Sequence, residues 1–273
     1  MKSQNTLYDN LLKETILSNK KNFSLSTGIK TIDNSGFKME PGKLIFLGSL
    51  NPFWNSQFLI NTAINIGKND ALVYYSYYQS ELGLAENFTK ILLEKPYFDV
   101  IGNIDKNLLI ERSNSLKIKV NCNKLNTVND IYFDVISDIH SRDVKLIIIE
   151  GFELIFSNKE TKLNQMCKKL AKYAIAENVC IIVSTCLPYK FVENKKDKRP
   201  QINVLEKIKL KRTLFDKIIF LHNPEYFGAD RTEKIPFPNF VDFTEENRNG
   251  YCSAPIKIYQ DKNYNILNDV EVN

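Results

Sequence analysis

The chain is short of the residues that metal and disulfide chemistry require. Its 273 residues hold two histidines, His140 and His222, far apart in sequence, which argues against a zinc site. Five cysteines (Cys122, Cys167, Cys180, Cys186 and Cys252) are odd in number and show no paired ligand spacing. They are expected to be reduced thiols, mostly in the core, of a cytoplasmic protein, and no metal is expected. The first residues, Met1 to Asn5, lack an apolar signal region, and no hydrophobic run reaches the ~20 residues of a membrane span. Internal repeats and low-complexity segments are absent. Charge is nearly balanced: 37 basic against 32 acidic residues leave +5, too mild by itself to demand a nucleic-acid partner.

What is present is an alternation of apolar strands and amphipathic helices. Leu44–Leu47, Ala71–Tyr78, Val144–Glu150, Val179–Ser184 and Ile218–Leu221 are rich in β-formers and apolar throughout, as strands buried on both faces are. Helical spacing runs over Phe58–Ile66, residues 80–95, Val128–Ile139 and Leu163–Ala174; Leu108–Ile110 and Ile118–Val120 read as short strands. Such alternation predicts a mostly parallel sheet sandwiched by helices. Beyond Tyr226 the pattern changes. Arg248-Asn249-Gly250 between Asn239–Phe243 and Ala254–Tyr259 signals a β-hairpin. Near the start, Leu7, Leu11, Leu12 and Ile16 form one apolar helical face behind a possible Thr6 cap, and Asn19–Asn22 detaches this helix from the rest of the chain. It needs a surface to cover, on its own domain or on a neighbouring subunit.

Between the first strand and the first helix lies Gly48-Ser49-Leu50-Asn51-Pro52-Phe53-Trp54-Asn55-Ser56. A phosphate-binding P-loop occupies that position in other α/β proteins. It needs glycine for close backbone approach, lysine for the β- and γ-phosphates and Ser or Thr for magnesium. Here Trp54 stands at the glycine, Asn55 at the lysine, and only Ser56 fits; moving the register by one residue helps nothing. The aromatic pair Phe53 and Trp54 either fills the pocket or packs against the following helix.

In this order the elements resemble the RecA-like ATPase domain of DnaB-type replicative helicases. The residues that carry the resemblance are Thr27-Gly28 with Asp33, Pro41-Gly42-Lys43 before the first strand, Leu146–Glu150, Ser184-Thr185, Lys198-Arg199-Pro200, Phe220–Tyr226 and Arg248-Asn249-Gly250. The likeness spans roughly residues 25–270. It implies a RecA-like α/β domain over 25–273 with a C-terminal β-hairpin, and a linker-type helix within 1–24. The same resemblance assigns the nucleotide-site positions Trp54, Asn55, Ser56, Tyr78 (or Gln79 with a one-residue shift) and Thr185, together with the remnants Glu150 and Arg248. Tyr78 or Gln79 stands where the family has its catalytic glutamate, Thr185 at the sensing glutamine, Glu150 at the Walker B aspartate, and Arg248 at the arginine finger. Two residues before that arginine, Glu246 replaces a lysine.

Phosphoryl transfer works by positioning and electrostatics, so each lost donor or carboxylate should cost orders of magnitude. The expectation is a degenerate, ATPase-inactive protein without cofactor, acting as a DNA-associated or oligomer-forming accessory subunit in replication or in the DNA metabolism of a mobile element or phage. One alternative is a divergent ATP-dependent helicase in which Ser56 and Glu150 still hold magnesium and ATP. Another is a pure protein-interaction scaffold. Expected partners are single-stranded DNA and further copies of the chain or an active RecA-like subunit, to which Arg248 could be offered; Arg248 could equally be an exposed turn residue. Between Lys190 and Lys217 ten basic side chains face four acidic ones, a local +6. From this segment Lys198, Arg199, Lys207, Lys209, Lys211 and Arg212 are the DNA-binding candidates. Lys207, Lys209 and Lys211 alternate with Ile208 and Leu210, which predicts an extended ladder of ammonium groups that tracks phosphates or merely solubilises a strand.

Overall fold

The computed structural model describes residues 23–93, 106–122, 134, 137, 143–155, 160–193, 198–224, 240–247, 251–261 and 266–268. The helix expected at 6–18 and Arg248 lie outside these residues, as does most of the helix expected at 128–139.

Nine strands form one sheet: β1 Leu44–Ser49, β2 Ala71–Ser76, β3 Ile118–Asn121, β4 Val144–Glu150, β5 Cys180–Cys186, β6 Lys217–His222, β7 Phe240–Asn247, β8 Ile256–Asp261 and β9 Ile266–Asn268. Their order is β3-β2-β4-β5-β1-β6-β7-β8-β9. The first six in that order are parallel, with Phe46 of β1 facing Val183 of β5 and Ile218 of β6. From β6 onward every pairing is antiparallel, which supplies the predicted C-terminal hairpin as β7 and β8. The helices are α1 Lys30–Asn34, α2 Pro52–Gly67, α3 Glu81–Leu93, α4 Lys106–Asn114, α5 Glu160–Glu177 and α6 Asn203–Lys207.

The uniformly apolar strands resolve into two faces because side chains alternate across a sheet. Ile45, Leu47, Tyr74, Ile148, Ile182 and Leu221 pack with Phe58, Leu59 and Ala63 of α2. Their strand neighbours Phe46, Tyr75, Ile149, Val183 and Phe220 pack with Met166, Cys167, Leu170 and Ala174 of α5 on the other side. The antiparallel extension joins the α2 side, where Phe243 meets Phe37 and Phe58 with ring centroids 5.3 and 5.9 Å apart.

Two local expectations are corrected. Leu108–Ile110 belongs to α4 and is not a strand. Lys207, Lys209 and Lys211 form no extended ladder: Lys207 ends α6, Lys209 turns through φ +58°, and Lys211 precedes a 3-10 turn at Arg212–Leu214. The reason lies in the apolar spacing, since Val204, Leu205 and Ile208 follow a helical period and pack into the α5-side core. All five cysteines are free, but only Cys167 and Cys180 are buried, where burial raises both thiols well above their ordinary pKa.

The entry to the domain is closed by one carboxylate. Asp33 accepts hydrogen bonds from Thr27 N and Thr27 Oγ1, both at 2.9 Å, from Gly28 N at 3.2 Å and from Ser26 Oγ at 2.6 Å. Gly28 sits at φ +84°, and a Cβ there would come within 2.6 Å of the Asn65 side chain, so the position admits glycine alone. This turn seats the amino end of the described chain against α2.

Candidate functional site

In open parallel sheets, sites form where the carboxyl ends of the strands meet helix N-termini. Here that edge gathers Ser49, Ser76, Glu150, Thr185 and the first turn of α2, so the tertiary structure brings most of the expected nucleotide-site positions together.

The loop after β1 is short because the helix starts early. Asn51 caps α2 and Pro52 opens it, both favourable at a helix start. A helix N-terminus binds anions through its unpaired amide hydrogens. Pro52 has none, Phe53 N donates to Asn51 Oδ1 at 3.0 Å, and Trp54 N donates to Asn51 O at 3.1 Å. The donors are therefore consumed within the turn. Trp54 is 5% exposed, packs in the α2-side core and lies edge-on to Phe53 with centroids 5.0 Å apart. Asn55, fully buried, donates from Nδ2 to the carbonyl of Thr185 at 2.9 Å, tying α2 to the end of β5.

Glu150 ends β4 and is fully buried. Ser56 Oγ donates to its Oε1, Ser76 Oγ donates to Oε2 at 2.5 Å, and Gln79 Nε2 approaches both oxygens at 3.4 Å. Burial raises this carboxyl above the usual carboxylate range, and the hydrogen bonds from Ser56, Ser76 and Gln79 only partly oppose it. Of the two candidates for the position after β2, it is Gln79 that faces the buried acid. Tyr78 turns away and donates to Glu153 Oε1, which also accepts from Cys186 N at 2.9 Å. Glu153 was not singled out by sequence. Burial pushes its carboxyl up to about 7, against the opposing Cys186 amide.

Nucleotide and magnesium, which this fold implies, require a cationic side chain, free loop amides and an ionised carboxylate open to the metal. Asn55 is neutral and already bonded, the first-turn amides are taken, and Glu150 is enclosed by Ser56, Ser76 and Gln79. These residues do not fit that ligand. Among the described residues no cluster of three or more His, Cys, Asp or Glu side chains could hold a metal ion.

The DNA-binding candidates divide. Arg199 Nη2 pairs at 2.6 Å with Asp242, whose side chain is 4% exposed, and Ile202 N donates to the buried Glu246 at 3.2 Å. Burial raises the Glu246 carboxyl. These two acids pin the segment 199–202 onto β7, so Arg199 is spent on the fold. Lys198 Nζ donates to Glu193 O and Lys207 Nζ to Phe191 O, the latter at 3.0 Å. Near Lys209 and Lys211 the backbone is fastened by Asn164, which donates to Lys209 O at 2.7 Å and accepts from Lys211 N at 2.9 Å. Arg212 opens the following 3-10 turn, half-buried.

Sheet order, the crossover helices and the strand-end site define an α/β protein of the RecA-like type. Comparison with solved structures narrows this to DnaB-like helicase ATPase domains. The chain superposes with a TM-score of 0.79 and 17% identity on a DnaB-like replicative helicase studied with its primase interactions, covering 96% of this chain and 65% of that one. With the separately solved ATPase domain of another protein the TM-score is 0.78 at 16% identity, covering 99% of this chain and 100% of that one. Among curated proteins, a probable plasmid replicative DNA helicase of Chlamydia psittaci is 22% identical over 225 residues, 77% of this chain and 49% of the relative. This chain thus spans about half the length of that relative. No family model matches the sequence. The resemblance read from the sequence holds at the level of the fold. Among the described residues, no helix is long and apolar enough to cross a membrane.

Proposed function

We propose that the chain is a DnaB-helicase-like RecA-fold module of DNA replication that does not hydrolyse ATP. It acts as an accessory subunit that associates with DNA and with further RecA-like subunits. One observation carries this reading: the first turn of α2, where a triphosphate would be cradled, spends its amides on Asn51 and presents Trp54 and Asn55 in place of glycine and lysine. The fold and the replicative helicases it resembles support the setting in DNA metabolism. Addition of Mg-ATP should leave the melting temperature unchanged and release no phosphate, with or without single-stranded DNA. Sustained turnover would overturn the proposal.

A second reading is favoured by the Ser56–Glu150 contact, which keeps a hydroxyl and an acid together where an active site would hold magnesium. In that reading the protein is a divergent helicase, and phosphate release stimulated by single-stranded DNA distinguishes it.

A further inference from the structure

Beyond β5, Pro188 turns the chain into a short 3-10 segment, Tyr189–Phe191. It lies at the same sheet end as the loop after β1, since Leu187 N donates to Ser49 O at 2.7 Å. Tyr189 is 43% exposed. Three ammonium groups surround this aromatic pair: Lys198 Nζ lies 5.8 Å from the Tyr189 ring centre, and Lys190 and Lys207 lie 5.4 and 5.6 Å from that of Phe191. Lys198 and Lys207 are held by the carbonyls of Glu193 and Phe191. A carbonyl orients an ammonium without cancelling its charge, whereas the carboxylate of Asp242 neutralises Arg199. Among the described residues no carboxylate pairs with Lys190, Lys198 or Lys207. A lysine face that served only solubility would have no need of a large exposed aromatic ring at its centre.

We infer that Tyr189, with Lys190, Lys198 and Lys207, is a base-stacking station for single-stranded nucleic acid. One base lies on the Tyr189 ring, and the three ammonium groups neutralise the flanking phosphates. A duplex keeps its bases stacked on one another and offers this ring no face, so the station selects single strands. The inference rests on the DNA association proposed above and names the groups responsible for it. It moves the contact from Arg199 and the supposed ladder to an aromatic-centred cluster.

The test measures fluorescence anisotropy of the full chain with a labelled oligothymidylate and with an abasic strand of equal length. The wild type should bind the thymine strand more tightly. Tyr189→Ala should weaken that binding about 5- to 150-fold and leave the abasic strand unaffected, while Tyr189→Phe retains it. Joint Lys198→Ala and Lys207→Ala substitution should weaken both strands and lower the salt slope by about 0.7 per lysine. If the wild type binds but Tyr189→Ala binds equally well, the station is refuted and DNA association through phosphates stands. Equal weakening on both strands by Tyr189→Ala, or displacement by polyglutamate as readily as by DNA, also refutes it. Absence of binding to either strand removes this inference and the DNA association together.

Discussion

Asn55 shows how one side chain can change what a site tolerates. Its amide bridges α2 to the carbonyl of Thr185 from a position with no solvent exposure. Reinstating a lysine there would bury an ammonium with one carbonyl partner, no phosphate and a tryptophan alongside. Asn55→Lys should therefore lose about 3 kcal/mol in urea unfolding and still release no phosphate from ATP. A stable variant that hydrolyses ATP would mean the site needs only its charge restored. The Asn-Pro start of α2 was legible in the sequence, because Asn caps and Pro opens helices for local reasons. Whether Tyr78 or Gln79 faces Glu150 was not legible. Two adjacent residues leaving a strand diverge, and only the positions of Glu150 and Glu153 decide which goes where.

Elements meet through the second buried acid. Glu153 follows β4, takes a hydrogen bond from Tyr78 beyond β2 and another from the amide of Cys186 at the end of β5. Three strand ends are thereby joined through one carboxyl whose pKa rises to about 7. The folded protein holds this proton more tightly than the unfolded chain, in which the pKa is about 4.3. This group's contribution is therefore fully present below about pH 4.3 and is lost as pH rises towards 7, by up to about 3 kcal/mol. Glu153→Gln should flatten that decline relative to wild type in unfolding series between about pH 4 and 8. Glu150, raised in the same direction, leaves a decline of the same sign in both proteins. Parallel curves would show that Glu153 is ionised at neutral pH in the fold. The basic segment teaches the opposite lesson about legibility. Alternating Lys and apolar residues at 207–211 imitate a strand, yet Val204, Leu205 and Ile208 had already committed the chain to a helical turn.

In the whole molecule, the antiparallel extension is part of the core rather than an appendage. Phe243 contacts Phe37 and Phe58, linking β7 to the entry segment and to α2. Phe243→Ala should cost about 3–5 kcal/mol. Because the two core clusters share one sheet, the loss should appear as a single transition shifted to lower urea, with the slope unchanged. A biphasic curve, in which the extension melts first, would show that β7–β9 folds separately.

The sequence by itself determined the order of strands and helices, the switch to a hairpin beyond Tyr226 and the absence of lysine at Asn55. These depend on period, turn chemistry and residue identity, all of which are local. Tertiary structure alone decided that the first-turn amides of α2 are consumed, that Glu150 is enclosed by Ser56, Ser76 and Gln79, and that Arg199 belongs to Asp242 rather than to a ligand. Each of those outcomes joins residues far apart in the chain or depends on where a helix begins, and hydrogen-bond partners are chosen by distance in space.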